Sequence, residues 1–182
     1  PEESIMRPSL LPSLLKVAAF NHHRQQSSLK LFEVAKVFSP NPDPVHAETQ
    51  WAAGILTGHW LNNLYSQDDS RHPDVVLSNL KGLCQNIASL LKVPVTFKVE
   101  TPPRYFHPTQ ALSLYSKKQK LGSLGVLHPT YCKTYGLKET VHYFEINLSH
   151  LPSSPASLPT YTPISKYPST RRDIALLMPK KI

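Results

Sequence analysis

LKLFEVAKVF (29–38) and QWAAGILTGHW (50–60) decide the fold of this chain. Both are dense in β-branched and aromatic residues, and SPNPDP (39–44) between them cannot continue a strand. They read as antiparallel neighbours joined by a proline-rich hairpin loop over 39–49. Working outward, VTFKVE (95–100), ALSLYS (111–116), KLGSLGVL (120–127) and VHYFEINL (141–148) read as further strands. A tight turn at Lys117-Lys118 joins two of them. Strands linked by hairpins, with helices inserted between, specify an antiparallel α+β domain.

Three helices fit the remaining patterns. DVVLSNLKGLCQNIASLLKV (74–93) carries Val76, Leu80, Leu83, Cys84, Ile87, Leu90 and Leu91 on one stripe, and Pro94 ends it. HPTYCKTYG (128–136) suits a short helix with Pro129 in its first turn and Gly136 as a left-handed cap. PSLLPSLLKVAAFNHHR (8–24) is apolar over more than one face. Leu10, Leu11, Leu14, Leu15, Val17, Ala18 and Phe20 exceed the roughly 100° of arc that one core needs. That surplus is either buried deeply or covered by a second partner.

The 182 residues carry a net charge of +8 and a pI near 9.5. The basic residues are dispersed, so the charge permits nucleic-acid binding without requiring it. No apolar run approaches the roughly 20 residues of a membrane span, so no membrane partner is expected. The two cysteines, Cys84 and Cys132, form no metal or redox motif and point to a reducing, cytoplasmic location. The nine histidines include no i, i+4 pair of the helical zinc type. His107 and His128 each precede proline, which suits a structural role where a strand ends. Glu33 and Glu145 lie inside strands. They are expected on a solvated or edge face, or paired with a lysine such as Lys36. No nucleophile elbow and no phosphate-cradling glycine loop occurs.

Near the end, LPSSPASLPTYTP (151–163) reads as a Pro/Ser linker. ISKYPSTRRDIALLM (164–178) then starts what reads as a new strand, with four residues to follow. A lone strand lacks partners for its backbone groups. This pattern, and a start at Pro1, are those expected of a piece of a longer polypeptide.

The order of these segments resembles the β subunit of bacterial phenylalanyl-tRNA synthetases. The carriers are RPSLLPSLL (7–15), LFEVAKVF (31–38), WAAGILTG (51–58), LKGLCQNIASLL (80–91), FHP (106–108), LGSLGVLHP (121–129), YFEINL (143–148) and ISKYPSTRRDIALL (164–177). The resemblance implies a class II aminoacyl-tRNA synthetase-like antiparallel sheet flanked by helices over 1–150. It makes 164–182 the truncated first strand of a ferredoxin-like domain that binds the tRNA anticodon stem. It also implies a heterotetramer in which an α subunit does the chemistry with ATP and Mg, while this segment holds no cofactor and no metal. Class II chemistry needs arginines around the α-phosphate. Here no arginine follows VAKVF until Arg71, FEINLSHLP (144–152) has none, and no glycine follows Gly136. The expectation is therefore a non-catalytic domain that docks the α subunit through Leu10, Leu11, Leu14, Val17, Ala18 and Phe20. In the isolated chain the same surface is expected to permit self-association. Lys166, Arg171 and Arg172 are the expected tRNA contacts of the whole protein. The competing readings are an autonomous RNA-binding module and a free-standing class II synthetase paralogue.

Removal of residues 160–182 is expected to leave the melting temperature of the 1–150 body nearly unchanged. A large drop in a thermal denaturation curve would instead place the segment in this domain's core.

Overall fold

The computed structural model describes residues 6–39, 47–60 and 74–151, together with Tyr161, Lys166, Tyr167 and 170–175. Six strands form one sheet: β1 (Lys30–Ser39), β2 (Ala47–Leu56), β3 (Thr96–Lys98), β4 (Phe106–Ser116), β5 (Gln119–Leu127) and β6 (His142–Asn147). Their order is β1-β2-β6-β5-β4-β3, and every pairing is antiparallel. The helices are α1 (Leu11–His22), α2 (Leu77–Leu90) and α3 (Pro129–Thr134), with a 3₁₀ turn at Leu148–His150.

The alternation of strand residues assigns each side chain to a face. On β6, Tyr143 and Glu145 face α1, while His142, Phe144 and Ile146 face α2. The α1 side is filled by Leu10, Leu11, Leu14, Leu15 and Ala18 against Val37, Ala53, Ile55, Leu127 and Tyr143. The α2 side is filled by Leu80 and Cys84 against Leu56, Leu114, Leu124, Phe144 and Ile146. Burial pushes the Cys84 thiol up to about 12, so it is an inert core group. Gly54 leaves room for the Phe144 ring above it, and a Cβ on Gly122 would collide with the Glu145 carbonyl oxygen.

Several boundaries differ from the sequence expectation. β1 and β2 reach further towards each other, with Ser39 paired to Ala47, so the hairpin loop is shorter than 39–49. β4 starts at Phe106 rather than 111, past an irregular register between Phe106 and Ala111. β3 shortens to three residues. Pro12 falls in the first turn of α1, where a missing N–H costs nothing. Gly136 takes the left-handed conformation after α3, and the His128 Nδ1 accepts the Thr130 N–H at that helix start.

Of the tail, Lys166, Tyr167 and 170–175 are exposed and form no strand. The remaining residues of the expected strand, and most of the linker at 152–160, lie outside the described residues.

Between α2 and the outer strand β1 no described residue covers the sheet face. Phe32, Val34, Trp60, Leu83, Ile87 and Leu91 line an apolar groove of about 580 Å³ there.

Leu15 is 1% exposed and Val17 47% exposed on the same helix. Leu15→Ala is expected to cost about 2–5 kcal/mol, the range for an emptied aliphatic core position. Val17→Ala should stay within about 0.5 kcal/mol. Urea midpoints of the two variants check the contrast.

Candidate functional site

On the α1 face a half-buried polar cluster gathers around Glu145. The segment before α1 is tied to the sheet because the Phe38 N–H donates to the Arg7 carbonyl at 3.0 Å. That places Pro8 and Ser9 over β6. Pro8, Ser9, Leu10, Val37, Trp51, Ala53, Tyr105, Tyr143 and Glu145 then line a cavity of about 220 Å³.

Glu145 is its only ionised-type lining group besides the phenols. The Tyr105 hydroxyl donates to Oε1 at 2.5 Å and the Tyr143 hydroxyl to Oε2 at 2.9 Å. Ser9 also hydrogen-bonds the Tyr143 phenol. Burial raises the Glu145 carboxyl above its ordinary 4.5, although both phenols and the charge of Lys120 pull the other way. Burial first, and then the Glu145 charge, raise both tyrosines well above 10, so they remain donors at any physiological pH. The arrangement is a carboxylate held by two neutral donors among aromatic walls.

The two strand carboxylates part company with the sequence expectation. Glu145 is half-buried rather than solvated, because the segment entering α1 and the loop carrying Tyr105 lie over its face of β6. Glu33 pairs with Arg7 at 2.6 Å rather than with Lys36, which reaches Glu48 at 2.6 Å instead. Lys36 lies on the opposite face of β1 from Glu33, so it had no access. Glu33 and Glu145 share one row, separated by Ala53. Two strand spacings, roughly 10 Å, keep them from acting as a pair.

The expected interface residues also divide. Leu10, Leu11, Leu14 and Ala18 are core, each at or below 5% exposure, so they offer no outer surface. The helix sits over a wide sheet, which covers more of its girth than a single neighbouring helix would. Val17 and Phe20 stay exposed, and the Arg24 guanidinium lies 3.4 Å from the Phe20 ring centroid. Lys166, Arg171 and Arg172 are exposed and carry no regular structure. Among the described residues no group of three metal-ligating side chains occurs. His142 is buried on the α2 face, and burial lowers its pKa below the ordinary 6.5, which keeps it neutral.

Sequence reading missed Tyr105, Tyr143, Trp51 and Ser9. The i, i+2 relation of Tyr143 and Glu145 was available in YFEINL. Tyr105 lies 40 positions from Glu145 in a loop, and nothing local joins the two.

The sign of the Glu145 effect on stability follows from its raised pKa. The native state holds the carboxyl proton more tightly than the unfolded chain does. That contribution is fully present below 4.5 and is lost as pH rises through the native value. Glu145→Gln removes the titration. From about pH 4 to about pH 8, the stability of Glu145→Gln relative to the native sequence is expected to rise. Denaturant midpoints across that range check it, and a flat difference would contradict the buried carboxyl.

Comparison with known proteins gives a consistent result. The family model of the phenylalanyl tRNA synthetase beta chain CLM domain matches residues 1–148. The phenylalanine–tRNA ligase beta subunit of Carboxydothermus hydrogenoformans is 35% identical over 182 residues, all of this chain and 22% of that protein. That of Bacillus subtilis is 33% identical over 183 residues, again all of this chain and 22% of the relative. The chain thus spans about a fifth of the length of these relatives. Among solved structures, two of Desulfitobacterium hafniense pyrrolysyl-tRNA synthetase match with TM-scores of 0.56 and 0.57 at 9% and 12% identity. Each match covers 80% of this chain and 48% of that one. The fold is therefore the α+β antiparallel sheet with flanking helices of class II tRNA synthetases. With the family model covering four-fifths of its length, the chain belongs to the phenylalanyl-tRNA synthetase β-chain family, as its CLM domain.

Proposed function

We propose that this chain is a non-catalytic module of a phenylalanine–tRNA ligase β subunit. In this reading it docks the catalytic α subunit and so supports ATP-dependent attachment of phenylalanine to its tRNA in the cytoplasm. ATP and Mg belong to the α subunit, and tRNA is reached through the rest of the β chain, with Lys166, Arg171 and Arg172 at the approach.

The observation that carries the non-catalytic reading is the lining of the cavity on the α1 face. It holds Glu145 and no lysine or arginine. Amino-acid activation develops negative charge on phosphoryl oxygens, which requires cations aimed at them. A carboxylate there repels a triphosphate. Arg7, the arginine close by in sequence, is already engaged by Glu33 and the Lys36 carbonyl. The docking reading is supported by Val17 and Phe20, which remain in water on a helix whose other face is fully buried.

Two outcomes are expected. The purified chain should give no phenylalanine-dependent pyrophosphate exchange above a buffer blank, and measurable exchange would overturn the reading. In co-expression with the cognate α subunit, Val17→Lys and Phe20→Lys should weaken co-elution in size-exclusion chromatography while leaving the fold intact. If only Phe32→Lys does so, the docking surface is the apolar groove beside β1 instead.

A further inference from the structure

We infer that the cavity around Glu145 is a binding site for a small organic ammonium ion bearing a single-ring apolar body.

Size sets the body. A dry cavity of about 150 Å³ accepts benzene. At about 220 Å³, this one has room for such a ring and a short arm. The walls set the ring's company: Trp51, Tyr105, Val37, Leu10 and Pro8 are apolar or aromatic. Tyr105 and Tyr143 stand edge to face, with ring centroids 6.2 Å apart at 77°. The rings of Tyr105, Tyr143 and Trp51 line the same cavity as the carboxylate, and aromatic rings within reach of a bound cation favour it.

Charge sets the arm. Each Glu145 oxygen receives one phenol hydrogen bond, and each keeps capacity to accept another. Lys120 acts on the carboxylate only from outside the cavity lining, so an ammonium group in the cavity adds hydrogen-bond donors and a direct cationic contact that the half-buried carboxylate lacks. No lining residue competes for the carboxylate as a cation. The same lining gives a ligand carboxylate or phosphate no partner, so anions and zwitterions are disfavoured. Because burial holds the carboxyl towards its protonated form, an incoming cation must displace that proton. Binding therefore tightens as pH rises.

The test uses the full-length chain and three probes that share one ring: 2-phenylethylamine, 2-phenylethanol and 3-phenylpropionate. Isothermal titration calorimetry gives the affinities, and chemical-shift changes at Trp51 locate the site. The amine is expected to bind about tenfold or more tighter than the alcohol, since it adds a charged hydrogen bond and a cation–ring contact. The propionate should not bind. Raising the pH from about 5 to about 8 should tighten amine binding and leave alcohol binding unchanged. Glu145→Gln should erase the preference for the amine while still admitting the alcohol. Equal affinity for amine and alcohol, binding of the propionate, or no amine binding at millimolar concentration would each overturn the inference. The comparison of probes on the unmodified chain stands even if the Glu145 variant fails to fold.

Discussion

Strand β6 has to be covered on both faces at once, and the rest of the structure is arranged around that requirement. It lies between β2 and β5, so its backbone groups are consumed on both edges. Its side chains then alternate into two separate cores, Tyr143 towards α1 and Phe144 and Ile146 towards α2. A strand covered on both faces does not show the alternation of a half-solvated strand: in HYFEIN, Tyr143, Phe144 and Ile146 fill the two cores beside the polar His142, Glu145 and Asn147. The glycines on its neighbours serve it. Gly54 on β2 yields space to Phe144, and Gly122 on β5 lets the two backbones approach.

The same requirement explains the position of Glu145. Cover from α1 stops at Leu10, where the helix begins, and the row Ser113, Ser123 and Glu145 continues past it across the sheet. Ser113 and Ser123 are buried there and Glu145 is half-buried, so this end of the face is polar yet largely shielded from water. A carboxylate in such a place must find donors or stay protonated. Two phenols supply them, one from the same strand and one from the loop before β4.

The groove beside β1 and the cavity around Glu145 therefore differ in kind. On the α2 side the groove beside β1 is almost wholly apolar, with Phe32 and Val34 standing in it. On the α1 side the cavity is small and centred on a carboxylate. The fold is shared with a pyrrolysyl-tRNA synthetase at 9% identity, so what persists is the fold rather than the residues. Chemistry depends on a few charged groups, and those change without disturbing the sheet.

The sequence by itself determined the α+β class, all three helices and the existence of the six sheet strands, though not the bounds of β3 and β4, because hydrophobic period and proline or glycine stops are local signals. LKLFEVAKVF and QWAAGILTGHW are legible as a hairpin, and the excess apolar arc of α1 is visible in the sequence alone. The family too was legible, through the order of its short segments. What the tertiary structure alone decided was which part of that arc is spare. Leu10, Leu11, Leu14 and Ala18 meet the sheet, and only Val17 and Phe20 do not. It also decided the fate of Glu145, since a strand position says which face a side chain takes but not what closes over it. Tyr105 and Ser9 come from distant parts of the chain, and their meeting at one carboxylate is set by how the α1 segment and the β4 loop cross the sheet. Local pattern fixes elements and faces; the environment of a buried charge is a property of the assembled layers.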